Sequence, residues 1–123
     1  MNVKWKIAMV KIYRVQHKKD GRGPWRPGWS KSWIQPRKDH VNLNSWIDEF
    51  GLLNLSSKKH HGCGCRTVKQ LRRWFTKQEY RRLARCGYHA VTFDAEVLKE
   101  SDIQCVFERN LPLNEAIKTI KLY

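Results

Sequence analysis

The fold is decided by residues 67–93, which read TVKQLRRWFTKQEYRRLARCGYHAVTF. The first part has apolar residues at helical spacing, with Val68, Leu71 and Phe75 on one face. Thr76 then provides a second helix start, because Glu79 three residues later completes a capping box. The pattern predicts a helix pair, or one helix broken near Thr76, over residues 67–86.

The end of this stretch changes from a helical to a strand period. Tyr80, Leu83 and Ala84 form the apolar stripe of the second helix, and Gly87 ends it. The remaining segments are predicted as strands at about 9–16, 88–93 and 103–108, an acidic connection at 94–102, and a short helix or last strand at 113–122. The predicted fold class is α+β, with a small antiparallel or mixed sheet packed against the helix pair.

The length of the chain, 123 residues, favours one domain that spans 1–123. Residues 17–36 are rich in glycine, proline, tryptophan and basic side chains, which predicts a long loop. A short helix is expected over 45–50, followed by a polar loop over 54–61 that leads into a glycine-rich turn.

The chain carries a formal charge of +14, and this charge is concentrated in two blocks. Residues 1–41 contribute +9 and residues 63–90 contribute +7, whereas residues 91–123 are slightly acidic. Solubility alone needs a net charge of only about 2 to 8 in a small domain. The excess favours an anionic partner, nucleic acid or a nucleoprotein complex above all.

The second basic block lies on the predicted helices. Its candidate contacts to phosphate or to an acidic partner are Lys69, Arg72, Arg73, Lys77, Arg81, Arg82 and Arg85. Their spacings of three and four residues place like charges side by side, which costs stability unless an anion neutralises them. Arginine also suits bidentate contact with phosphate. The alternative interpretation is a solvated helix face.

The long loop supplies a second set of candidates. Trp25 and Trp29 could stack on bases while Arg22 and Arg26 hold the backbone of a nucleic acid. The same tryptophans could instead cover the core.

A metal site is the less favoured interpretation of His60, His61, Cys63 and Cys65. These residue types bind zinc, but the Cys-x-Cys spacing is tight for a structural site. We therefore predict no cofactor and no catalytic residue, with zinc as an alternative to small packing cysteines in a turn.

The location of the protein follows from what the sequence lacks. No run approaches the ~18 apolar residues that span a bilayer, and the first ten residues do not resemble a signal peptide. We expect a cytoplasmic protein with reduced thiols and no membrane contact.

Three separated segments resemble small bacteriophage and prophage accessory proteins. They are residues 12–17 with 23–25, residues 63–75 and residues 103–107. The resemblance implies a phage accessory role in a bacterial host cell, including inhibition of a host defence such as CRISPR interference by contact with its nucleic acid or guide RNA.

A fainter similarity is to the ADP-ribosyltransferase fold, in which a first-strand arginine holds NAD and a late strand carries a glutamate. Arg14 matches the first position, and Gln104 or Glu108 lies near the second, although the Gln-x-Glu pattern is absent. This similarity implies an alternative function as an NAD-dependent enzyme. A third alternative is a protein-only inhibitor that docks on the acidic surface of a host protein.

Overall fold

An antiparallel sheet and two helices make up the part of the chain that the structure describes, a computed structural model covering residues 8–24, 49–51 and 53–123. In chain order the elements are β1 (Met9–His17), β2 (His60–Gly64), α1 (Val68–Trp74), α2 (Lys77–Arg85), β3 (Tyr88–Glu100), β4 (Cys105–Arg109) and β5 (Lys118–Thr119). The α+β class with a helix pair is confirmed. Most of the predicted loop over 17–36 and of the short helix over 45–50 lies outside the described residues.

The sheet has the strand order β1-β3-β4-β2, and β5 pairs with β3. The long strand β3 pairs with β1 from Tyr88 to Glu96 and with β4 from Glu96 to Glu100. A register shift between Val97 and Lys99 marks a bulge, which bends a strand and increases its twist. The sheet curls so far that Cys65, just after β2, exchanges backbone hydrogen bonds of 2.7 and 2.8 Å with Tyr13 of β1.

The two faces of the curled sheet bury two separate apolar clusters. The helices cover one face, where Leu71, Leu83 and Tyr88 belong to the same buried cluster. The inner face holds a second cluster that includes Ile12 and Phe107. Leu71 and Leu83 were predicted to face the core, and their burial confirms this.

Each helix begins at a threonine cap. The side chain of Thr67 accepts a hydrogen bond from the backbone N–H of Gln70 at 3.1 Å. At α2 the predicted capping box is confirmed, because Thr76 accepts from the Glu79 N–H and the Glu79 carboxylate accepts from the Thr76 N–H at 2.8 Å. Gly87 follows α2 with a φ of 92°, a conformation that favours glycine, as expected for a helix end.

The strand β2 corrects the prediction of a polar loop that leads into a glycine-rich turn. Glycine is a poor strand former, so the segment does not have a strand pattern in sequence. In the curled sheet the glycines are needed for close approach: a Cβ on Gly64 would lie 2.6 Å from Ile12 Cγ2, and one on Gly62 would lie 2.9 Å from Phe107 Cζ.

The predicted acidic connection at 94–102 is also corrected, since β3 continues to Glu100. Asp94 is exposed while Ala95 is buried, so the acidic residues occupy the outward positions of a long strand. The segment 113–122 forms no helix and contributes only the two-residue strand β5.

Candidate nucleic-acid interface

The predicted basic side chains of α1 and α2 are all exposed. They are Lys69, Arg72 and Arg73 on α1, and Lys77, Arg81, Arg82 and Arg85 on α2. Leu71, Trp74 and Leu83 bury the opposite sides of the helices against the sheet. Core packing therefore fixes both helices with their charges directed to solvent.

Two of the seven cations make contacts within the protein. Arg72 donates from Nε to the carbonyl oxygen of Leu122 at 2.8 Å, and its guanidinium lies 5.6 Å from the centre of the Tyr123 ring. Arg73 has contacts within the protein as well. Arg72 therefore helps to attach the C-terminal segment to α1, a role that the sequence pattern does not show.

The other five cations have no carboxylate partner within the described part of the chain, and we call them the helix cations. They are Lys69, Lys77, Arg81, Arg82 and Arg85. The one acidic residue of α2, Glu79, is held in the capping box. Other described carboxylates pair elsewhere: Glu100 with Arg66 at 3.3 Å, and Glu108 with Lys59 at 3.1 Å.

The spacing of the helix cations has an energetic consequence. Lys77, Arg81 and Arg85 follow one another at intervals of four residues, so neighbouring positive charges repel by a few tenths of a kcal/mol per pair. Arg82 and Arg85 in the last turn recover part of this through the helix dipole. A bound polyanion would remove the repulsion along the whole face.

The loop candidates are described only in part. Arg22 forms an ion pair with Asp20 at 3.2 Å, and its Nε donates to the Tyr88 hydroxyl at 3.4 Å. This arginine thus connects the loop to the start of β3. Trp25, Arg26 and Trp29 lie outside the described residues.

Within the described residues, the histidine and cysteine candidates are not gathered into one group of metal ligands. No group of three or more His, Cys, Asp or Glu that could hold a metal occurs among the residues that the structure describes. His61 Nε2 instead lies 3.2 Å from Glu108 Oε2, and His60 is exposed at the start of β2. Burial raises the pKa values of the Cys63 and Cys65 thiols, which disfavours the thiolates that zinc requires.

The sequence pattern does not predict how deeply Arg14 is buried. It lies on β1 between Ile12 and Gln16, and all three are buried. Burial lowers the pKa of the Arg14 guanidinium, and the thiols of Cys63 and Cys105 act in the opposite direction. Arg14 shares the strand parity of Val10 and Ile12, which signals an inward direction but not its burial by strands distant in sequence.

The fold and the cationic helices define a small α+β protein with a basic face. The sequence model of the bacteriophage T4 Y00F protein family matches residues 8–121, so the chain belongs to this family. This match confirms the resemblance to small phage proteins and supports a phage accessory protein.

No significant match was found among curated proteins or among solved structures. The similarity to the ADP-ribosyltransferase fold receives no support, and Glu108, its late-strand glutamate, is engaged with Lys59 and His61. Among the described residues, no helix is long and apolar enough to cross a membrane.

Proposed function

We propose that the protein binds nucleic acid, alone or within a nucleoprotein complex, through the helix cations of α1 and α2. The observation that carries the proposal is the set of five exposed Lys and Arg side chains without carboxylate partners in the described part of the chain. Positive side chains placed in this way attract a phosphate backbone and release its counterions on binding.

The structure of the face favours backbone contact over base reading. The helices contain seven and nine residues, and their charges extend along both of them. Arginine forks suit phosphate oxygens, which position a protein without reading sequence. We therefore expect weak sequence dependence.

Family membership supports a phage accessory role for this binding. A phage protein of this kind could block a host defence such as CRISPR interference by covering its guide RNA or target nucleic acid. Docking on an acidic surface of a host protein is the alternative outcome that the test below separates.

The test is a comparison of two double variants with equal loss of charge. Arg81→Gln with Arg85→Gln removes two helix cations, whereas Lys11→Gln with Lys99→Gln removes two exposed charges from the strands. Binding to labelled duplex DNA and to RNA would be followed by fluorescence anisotropy. Loss of two phosphate contacts should weaken the helix variant by roughly tenfold or more.

The strand variant should lose much less affinity, since it changes the total charge but not the helix face. Equal losses in both variants would reduce the effect to net charge and contradict the proposed face. An absence of nucleic-acid binding in wild type would favour the docking alternative, which co-purification from lysate with and without nuclease would then examine.

A further inference from the structure

A tight turn places a second pair of exposed cations at the C-terminal end of α2. Lys18 and Lys19 follow β1 directly and are both exposed, and we call them the turn lysines. The backbone N–H of Lys18 donates to the carbonyl oxygen of Gly87, two residues after α2, at 2.9 Å. The turn therefore lies beside the end of the helix, although the two are far apart in sequence.

Three further hydrogen bonds hold this turn in place. The N–H of Gly21 donates to the carbonyl oxygen of His17 at 2.8 Å, and the N–H of Lys19 donates to His17 Nδ1 at 3.1 Å. From a distant part of the chain, the side-chain amide of Asn114 donates to the Lys19 carbonyl oxygen at 3.1 Å. A Cβ on Gly21 would lie only 2.5 Å from Leu113, so the turn packs closely on that segment. The turn lysines thus extend from a fixed backbone.

The charge of the turn lysines is not neutralised within the described residues. Asp20, the next residue, forms an ion pair with the Arg22 guanidinium at 3.2 Å and accepts from the Arg22 backbone N–H at 3.0 Å. None of the ion pairs in the described part of the chain includes a turn lysine. Burial lowers the pKa of His89, and the neighbouring Lys18 and His17 lower it further, as expected where positive charge collects. Arg22 is engaged, and the available charge lies on the lysines before it.

The turn lysines continue the row of helix cations. Lys77, Arg81 and Arg85 span about 12 Å along the axis of α2, at 1.5 Å per residue. Apart from Gln78 and Ala84, every exposed residue of α2 is cationic. The negative end of the helix dipole also favours cations at the end where the turn lies. A row of positive charge that follows a helix and continues past its end matches a linear polyanion better than a compact acidic site.

We propose that the turn lysines belong to the nucleic-acid face, so that one phosphate backbone follows α2 and continues past its C-terminal end to Lys18 and Lys19. This inference rests on the function proposed above and extends its contact surface. Lysine binds phosphate as a point charge, which suits backbone contact without base reading. Because successive phosphates of one duplex strand are about 3.4 Å apart along the axis, α2 alone corresponds to roughly four of them. The footprint on the nucleic acid is longer than that.

Lysine acetylation with and without saturating duplex DNA tests this footprint in the wild-type protein. Peptide mass spectrometry gives the acetylation rate at each lysine. The DNA should slow acetylation of Lys77, Lys18 and Lys19 by roughly fivefold or more, because bound phosphates cover them. Exposed Lys11, at the other end of β1, and Lys99 on β3 are the internal controls and should change by less than about twofold.

The pattern of protection separates this inference from the function on which it rests. Protection of Lys77 without protection of the turn lysines would overturn the inference and leave the proposed function standing. Protection of none of the three, or equal protection of the controls, would contradict both.

A pair of double variants provides the second measurement. Lys18→Gln with Lys19→Gln should weaken binding of the labelled DNA duplex by roughly tenfold, because two phosphate contacts are lost. The variant should keep its fold, since the hydrogen bonds of the turn at these two positions are made by backbone atoms. Lys11→Gln with Lys99→Gln removes the same charge and should lose much less affinity. If both variants bind alike while Arg81→Gln with Arg85→Gln binds weakly, the face ends with α2 and the inference is wrong.

Discussion

The four cysteines show how strongly the surroundings of one residue type can differ within this small protein. Cys65 and Cys105 are buried and Cys86 is exposed after α2. Burial raises the pKa of the Cys105 thiol to about 12, and it raises the pKa of Cys65 as well. The thiolate is the reactive form of cysteine. The two buried thiols are therefore unreactive, because reagents do not reach them and because they remain protonated.

We predict that Cys86 is the fast thiol in the native protein. Iodoacetamide at pH 8 should label Cys86 rapidly, and Cys65 and Cys105 roughly 100-fold more slowly, because they must await opening of the fold. Peptide mass spectrometry over time gives the rates. Cys86→Ser is the control that should remove the fast phase, and fast labelling of Cys65 or Cys105 in that variant would contradict the buried setting.

At the scale of single residues, the sequence predicts the setting of the exposed arginines better than that of the arginines with tertiary contacts. The exposed arginines of α2 follow from helical periodicity alone. The burial of Arg14 does not, because it depends on strands distant in sequence that curl around it, including Phe107 of β4. The internal role of Arg72 likewise depends on Leu122, which lies fifty residues further along the chain.

The elements of the fold differ in how local their causes are. The start, the end and the apolar face of each helix depend on residues close together in sequence, and both helices were predicted. The strand β2 contains Gly62 and Gly64, and glycine is needed at both positions because a Cβ would collide with Phe107 or Ile12. Because these contacts are tertiary, the local sequence pattern does not predict the strand.

The acidic end of β3 was missed for a related reason. Asp94 and Glu100 reduce strand propensity, but pairing with β1 and β4 overrides it. Local propensity therefore predicts the helical layer of this protein well, and the sheet only where its strands are apolar.

The caps of the two helices give a prediction at this scale. Thr76→Ala should reduce the free energy of unfolding by about 1 to 2 kcal/mol, because it breaks a reciprocal capping box. Thr67→Ala should cost less, about 0.5 to 1 kcal/mol, since Thr67 caps only through its own side chain. Urea unfolding of the two variants beside wild type measures the difference, and a larger loss in Thr67→Ala would contradict the account.

Across the whole molecule, the positive charge is not evenly opposed by negative charge. The chain carries +14, and several described carboxylates already pair with Lys59, Arg66 or Arg22. The helix cations, which have no carboxylate partner in the described part of the chain, face solvent on the side of the helices away from the sheet. The fold thus separates a buried side that stabilises the helices from a charged side available to a partner.

This separation makes the proposed function testable without loss of the fold. Substitutions of exposed helix cations should alter stability by no more than about 0.5 kcal/mol, since exposed changes away from caps and core have small effects. Melting curves of each variant would confirm that any change in binding reflects the face and not unfolding.

The most direct test of the central claim is the dependence of duplex DNA affinity on salt, measured for wild type and for Arg81→Gln with Arg85→Gln. If the five helix cations contact phosphates, the log-log slope for wild type should be about −4 to −5. The double variant should lose about two units of slope, because two fewer counterions are released. A flat dependence in wild type, or an unchanged slope in the variant, would contradict binding through this face.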